Sequence, residues 1–241
     1  MNKQPVSYLQ TDSRWAKKDY SAPGESTNIA ASGCGPTCAA MLIETLTGKT
    51  FTPADACAWA LKRGYKALRQ GTYYSYFVPQ FAAFGIACHR MNTVNLYGSK
   101  SSYFHTEAFK LLKQGYYLIA CMGKGLWTSS GHYVVVWWED GKVRINDPAS
   151  TKTARLNGDL STFKSQVKYY WAIDAREYNS KEDDDMEYYK TINDVPSAYK
   201  PTIKKLVDDG VLKGTGGNVI NVSEDFCRIM TVLDRKGVLD K

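Results

Sequence analysis

Two runs of β-branched and aromatic residues, 133–138 and 143–146, are separated by Glu139-Asp140-Gly141-Lys142. Asp-Gly is favoured at the centre of a two-residue hairpin loop, because both central residues of that turn need positive φ. An antiparallel hairpin is therefore expected here, and its register follows: 139 opposes 142, 136 opposes 145 and 134 opposes 147. Strand alternation then places His132, Val134, Val136, Trp138, Val143, Ile145 and Asp147 on one face and Asn146 on the other. His132 and Asp147 become diagonal neighbours, about 7–8 Å apart at the backbone and within side-chain reach. An inserted bulge would exchange Asp147 for Asn146.

A polar pair at the end of an apolar hairpin invites a search for a nucleophile. Cys34 lies in Ser32-Gly33-Cys34-Gly35-Pro36, and the following segment, 36–47, reads as a helix with Pro in its first turn and Gly48 as its stop. A thiol attacks as thiolate, which a helix N-terminus and a neighbouring imidazolium stabilise. The flanking glycines leave room for a substrate carbonyl and expose backbone N–H groups to an oxyanion. Three histidines are present. His89 falls within a short strand and His105 just before a helix cap at Thr106, whereas His132 begins a strand after the Thr128–Gly131 loop. Cys34, His132 and Asp147 are thus the candidate nucleophile, acid/base and orienting group.

The order of elements is that of an α+β fold. Helices are expected near 36–47, 53–63, 78–84 and 106–114, with a short strand at 86–91, and strands then dominate at 116–122, 133–138, 143–146 and 168–173. Residues 177–187, EYNSKEDDDME, read as an acidic linker. Beyond it, a helix carrying Ile203, Leu206 and Val207 and a second one capped by Ser223, with Phe226, Ile229, Met230 and Leu233, make a small module. The expected organisation is a catalytic domain over 1–176, a linker over 177–187 and a C-terminal module over 188–241. About fifty-five residues bury little core, so packing against the first domain or self-association is expected of the module.

Six cysteines without a CxxC pair read as reduced, with Cys38, Cys57, Cys88, Cys121 and Cys227 as small buried hydrophobes; no metal or cofactor is expected. No run approaches the roughly 18 apolar residues of a membrane span, and the first residues lack the apolar core of a secretory signal. Synthesis in the cytoplasm is the matching expectation, and action outside the membrane would then need release by something else. The net charge is +7, most of it before the module, where 22 basic side chains face 16 acidic ones over residues 1–186. Such a surface suits an anionic wall polymer. No nucleic-acid-binding motif accompanies it.

Gln10, GCGPT at 33–37, GHYVVV at 131–136 and NDP at 146–148, in this order, resemble the C39-like branch of the papain-like cysteine peptidases over roughly residues 4–175. The resemblance implies a papain-like fold, helices packed on an antiparallel sheet, with Cys34 as nucleophile, His132 as general acid/base, Asp147 as third member and Gln10 as oxyanion donor. The compact family pattern has its amide side chain six residues before the cysteine, at Asn28 here, so Asn28 is the alternative to Gln10. Residues 189–240 resemble the small C-terminal module of clostridial and phage endolysins, which implies a small α/β domain for wall binding or assembly.

Together these imply an endolysin-type peptidoglycan hydrolase cleaving an amide bond of the bacterial wall. A C39-like peptidase processing a peptide or protein, and a non-catalytic wall-binding module, are the rivals; selective alkylation of Cys34 separates the enzymes from the binding module. Lys181-Glu182-Asp183 can be encoded as a ribosome-binding sequence just upstream of Met186, which suggests an internally started C-terminal fragment that assembles with the full chain.

Overall fold

The computed structural model describes residues 3–157, 159–176, 178, 188–213 and 219–239. The chain divides into two compact units, Met1–Asn179 and Ser180–Lys241. The acidic stretch 177–187 lies outside the described residues apart from Tyr178, as does the internal start at Met186.

In the first unit the helices α1 (Ile29–Ser32), α2 (Cys34–Thr47), α3 (Pro53–Lys62) and α4 (Phe77–Ala82) precede β1 (Cys88–Arg90) and α5 (Tyr103–Lys113). There follow β2 (Tyr116–Met122), β3 (His132–Glu139), β4 (Lys142–Asn146), α6 (Thr153–Leu156), α7 (Leu160–Gln166) and β5 (Val167–Asp174). Thr52 and Asp55 form a reciprocal capping box at the start of α3, where Pro53 occupies the first turn. Two starts differ from the sequence expectation. Helix α2 begins at Cys34 itself, before Pro36, because α1 runs directly into it through Gly33. Helix α5 is capped by Ser102, whose hydroxyl accepts the His105 N–H, so it begins ahead of Thr106 and takes His105 into its first turn.

The five strands form one antiparallel sheet in the order β1-β5-β2-β3-β4. The β3–β4 hairpin has the expected register, with Glu139 opposite Lys142 and Val136 opposite Ile145. Its turn residues Asp140 and Gly141 have φ of 47° and 78°, the doubly left-handed turn that Asp-Gly favours. Alternation sorts the strands onto two cores. Tyr117, Ile119, Tyr133, Val135, Trp137 and Trp171 pack with α2, α3 and α4; Leu118, Ala120, Val134, Val136, Ile145 and Tyr170 pack with α5 and α7. Helices therefore cover both faces of the sheet, so that nearly every side chain of β2 and β5 is at least half-buried.

The second unit contains β6 (Tyr188–Thr191), α8 (Lys200–Asp208), β7 (Val219–Ser223) and α9 (Glu224–Arg235). Strands β6 and β7 pair antiparallel over a core of Tyr189, Val195, Ile203, Leu206, Val222 and Cys227. Ser223 caps α9 by accepting the Phe226 N–H, while Asp234 ties the two helices by accepting from Thr202 and Lys205. Ile229 departs from expectation. It is 56% exposed, because the buried face of α9 is centred on Cys227 and Thr231.

Candidate active site

Cys34 is the first residue of α2, so its side chain lies at the positive end of a 14-residue helix. Gly33 makes that position possible: a Cβ there would lie 2.7 Å from the Ile29 carbonyl oxygen, so a larger residue would force α1 away from α2. From the sheet, His132 opens β3 opposite Met122, and Asp147 follows the last residue of β4. His132 Nε2 is 2.8 Å from Asp147 Oδ1, and the imidazole also hydrogen-bonds Cys34. With Nε2 engaged by the carboxylate, Nδ1 is the nitrogen left for sulfur. Both side chains are buried, at 7% and 0% exposure.

Asp147 is itself held. Its Oδ1 also accepts the Ala149 N–H at 2.8 Å. Its Oδ2 lies 2.6 Å from Arg155 Nη2, an ion pair rather than an aligned hydrogen bond. That same Nη2 donates to the Trp127 carbonyl at 2.6 Å, and Trp127 Nε1 donates back to the Arg155 carbonyl at 3.0 Å. Arg155 therefore backs the carboxylate that orients His132. Asn146 is turned to the other face, where it accepts from Trp137 Nε1 and donates to the Pro5 carbonyl.

Charge follows from this geometry. Burial pushes the Cys34 thiol up, but hydrogen bonding to His132, the imidazolium charge and the N–H groups of Tyr133 and Gly35 outweigh it, leaving the thiol below its ordinary value. Burial pulls His132 down, yet its bonds to Asp147 and Cys34 raise it to about 9. Both shifts favour the thiolate–imidazolium form of the pair. The other thiols go the opposite way through burial: Cys38 and Cys57 lie well above the ordinary value, Cys88 is pushed up to about 12, Cys121 to about 11, and Cys227 upward. All six are unpaired, and Cys88 is only partly buried.

A cleft of about 410 Å³ opens onto Cys34 and His132, walled by Ala67, residues 69–74, Cys121, Ser130, Gly131 and Lys168. Gln10 is not among its lining residues. Its Nε2 donates to the Ala30 carbonyl at 2.6 Å, its backbone N–H donates to the Pro148 carbonyl at 2.8 Å, and its buried Oε1 has no hydrogen-bond partner among the described residues. Asn28 caps α1, its Oδ1 accepting the Ala31 N–H. His89 is exposed on β1. His105 is buried between the Tyr170 hydroxyl and the Ser99 carbonyl. Arg155, which the sequence did not single out, sits in a four-residue helix with no periodic pattern to mark it.

A thiol lowered at a helix start, an imidazole raised beside a buried carboxylate, and a cleft next to them can carry out covalent acyl transfer. The family model for Peptidase C39-like proteins matches residues 14–179, which include Cys34, His132 and Asp147 but not Gln10. The chain belongs to the Peptidase C39-like family. The crystal structure of a C39-like peptidase candidate from Bacillus anthracis is similar at 12% identity, with a TM-score of 0.39 over 70% of this chain and 98% of that one. Among curated proteins none matches. Among the described residues of this C39-like chain, no helix is long and apolar enough to cross a membrane. No group of three His, Cys, Asp or Glu side chains there could hold a metal ion.

Proposed function

We propose that this C39-like protein is a papain-like thiol hydrolase that cleaves an amide bond of bacterial peptidoglycan, with the C-terminal unit serving wall attachment or assembly. The observation that carries the chemistry is the Cys34–His132–Asp147 arrangement, in which one thiol of six is lowered while its imidazole partner is raised. The wall as target is supported by the likeness of residues 189–240 to endolysin modules and by the basic surplus of the first 186 residues.

In this mechanism the Cys34 thiolate adds to the scissile carbonyl. The oxyanion is received by the Cys34 N–H and by the Gln10 amide, which must first turn away from Ala30. Collapse breaks the C–N bond as His132 gives its proton to the leaving amine. His132, now neutral, takes a proton from water, whose hydroxide displaces the thiolate and frees the acid. Asp147 keeps Nε2 protonated and the ring oriented throughout.

The test is release of new amino groups from purified bacterial walls, with mass spectrometry of the fragments to name the bond. Cys34→Ala and His132→Ala are expected to abolish release, and chelators to leave it intact. Full activity in Cys34→Ala would refute the thiol mechanism; activity on peptides with none on walls would refute the substrate.

A further inference from the structure

We infer that the cleft beside Cys34 is an anion subsite, built by Arg69 and Lys168 to receive a free carboxylate next to the scissile amide. This deepens the proposed function, on whose reading of Cys34 as nucleophile it rests. Both cations reach the cleft through a backbone irregularity, and the two irregularities are independent.

Arg69 has φ of 54°, the left-handed region that is strained for a non-glycine residue. The turn that imposes it is anchored from beneath. Lys66, buried, donates to the Ala67 and Gln70 carbonyls at 2.8 and 2.7 Å and pairs with Glu25, which in turn accepts the Arg69 N–H. Thr72 is held from two sides, its hydroxyl by Tyr20 at 2.7 Å and its carbonyl by Tyr133 at 3.2 Å. The turn is therefore preformed, and it projects an arginine that makes no ion pair among the described residues.

Lys168 is the extra residue of a β-bulge. Cys121 pairs with Tyr169 and Met122 with Val167, so 168 has no opposite number on β2. Bulges beside active sites re-aim side chains. Here Nζ comes within 3.7 Å of where a Cβ on Gly131 would stand, immediately before His132. It too has no ion-pair partner among the described residues. Beside the Cys34–His132 pair, whose charges offset one another, the lining of the cleft contains these two cations and no carboxylate. A concave site with a surplus of one charge sign concentrates ligands of the other. In a wall peptide, the acidic group of a stem residue has this chemistry.

The test uses the full chain and two alkylating probes of similar size, anionic iodoacetate and neutral iodoacetamide, with modification at Cys34 followed by mass spectrometry. The ratio of the two rates cancels changes in thiol nucleophilicity. Imidazolium contributes equally in every variant. The iodoacetate/iodoacetamide ratio is expected to fall about fivefold in Arg69→Gly and again in Lys168→Gln, from the loss of one nearby cation each. Arg69→Gly relieves the left-handed strain, so loss of folding cannot mimic the result. Ratios within twofold of the parent in both variants would overturn the subsite. The ratio is read whatever the absolute rate at Cys34, so a slow Cys34 would count against the nucleophile and not against the subsite.

Discussion

Replacing Arg155 by Met removes the only cation facing Asp147 Oδ2 among the described residues while keeping most of the apolar stem. Breaking a buried ion pair by deleting one partner costs about 3–5 kcal/mol when both are fully desolvated. Arg155 is 18% exposed and Asp147 keeps His132 as a partner, so about 2–3 kcal/mol is expected. For a cooperative unit of this size, that lowers the melting temperature by about 4–12 °C. Because a positive charge leaves the vicinity of His132, the imidazolium should also persist to higher pH, moving the alkaline limb of hydrolysis upward. Circular dichroism melting and the pH dependence of the hydrolysis rate measure the two effects. A double-mutant cycle isolates the pair: with Asp147→Asn already present, Arg155→Met should cost less than about 1 kcal/mol, since no carboxylate remains to be left unpaired. A melting temperature within about 1 °C of the parent together with an unmoved alkaline limb would refute the role assigned to Arg155.

Two further outcomes are expected. Hydrolysis should follow a bell in pH, rising on the acid side below the ordinary thiol value as thiolate forms and falling near pH 9 as His132 loses the proton it must give to the leaving amine; for stability the sign is the same, since a group raised from 6.5 contributes below that pH and loses its contribution as pH climbs through about 9. A rate that keeps rising past pH 10 would exclude the ion pair. Gln10→Ala should lower kcat by about 10²-fold if its amide serves the oxyanion, whereas Asn28→Ala should cost about 1 kcal/mol of stability through the lost cap and leave kcat nearly unchanged; steady-state kinetics and melting reverse the assignment if the two variants trade effects.

Local chemistry determined a good part of this molecule in advance. Asp140-Gly141 has few alternatives to a left-handed two-residue turn, and once that turn is set, period-two alternation carries the register from Glu139–Lys142 out to His132 and Asp147. Pro36, the apolar spacing after it and Gly48 likewise mark α2, so that Cys34 at a helix start was legible. What stayed hidden depends on neighbours distant in sequence. One partner of the His105 ring is a buried Tyr170 hydroxyl 65 positions away. That helices cover both sheet faces follows from where α5 and α7 return, which no single segment encodes. Arg155 has no pattern of its own and acquires a role only when α6 brings it to Asp147. Arg69 and Lys168 stand at backbone positions that local propensity would not choose, one left-handed and one bulged, and only the Lys66–Glu25 anchor and the strand pairing of β2 with β5 hold them there. The sequence by itself singled out Cys34, His132 and Asp147 as the candidate trio, because each member sits in a turn, cap or strand whose geometry is local. Tertiary structure alone decided what surrounds the trio, because charges that meet across a cleft are placed by contacts between remote parts of the chain.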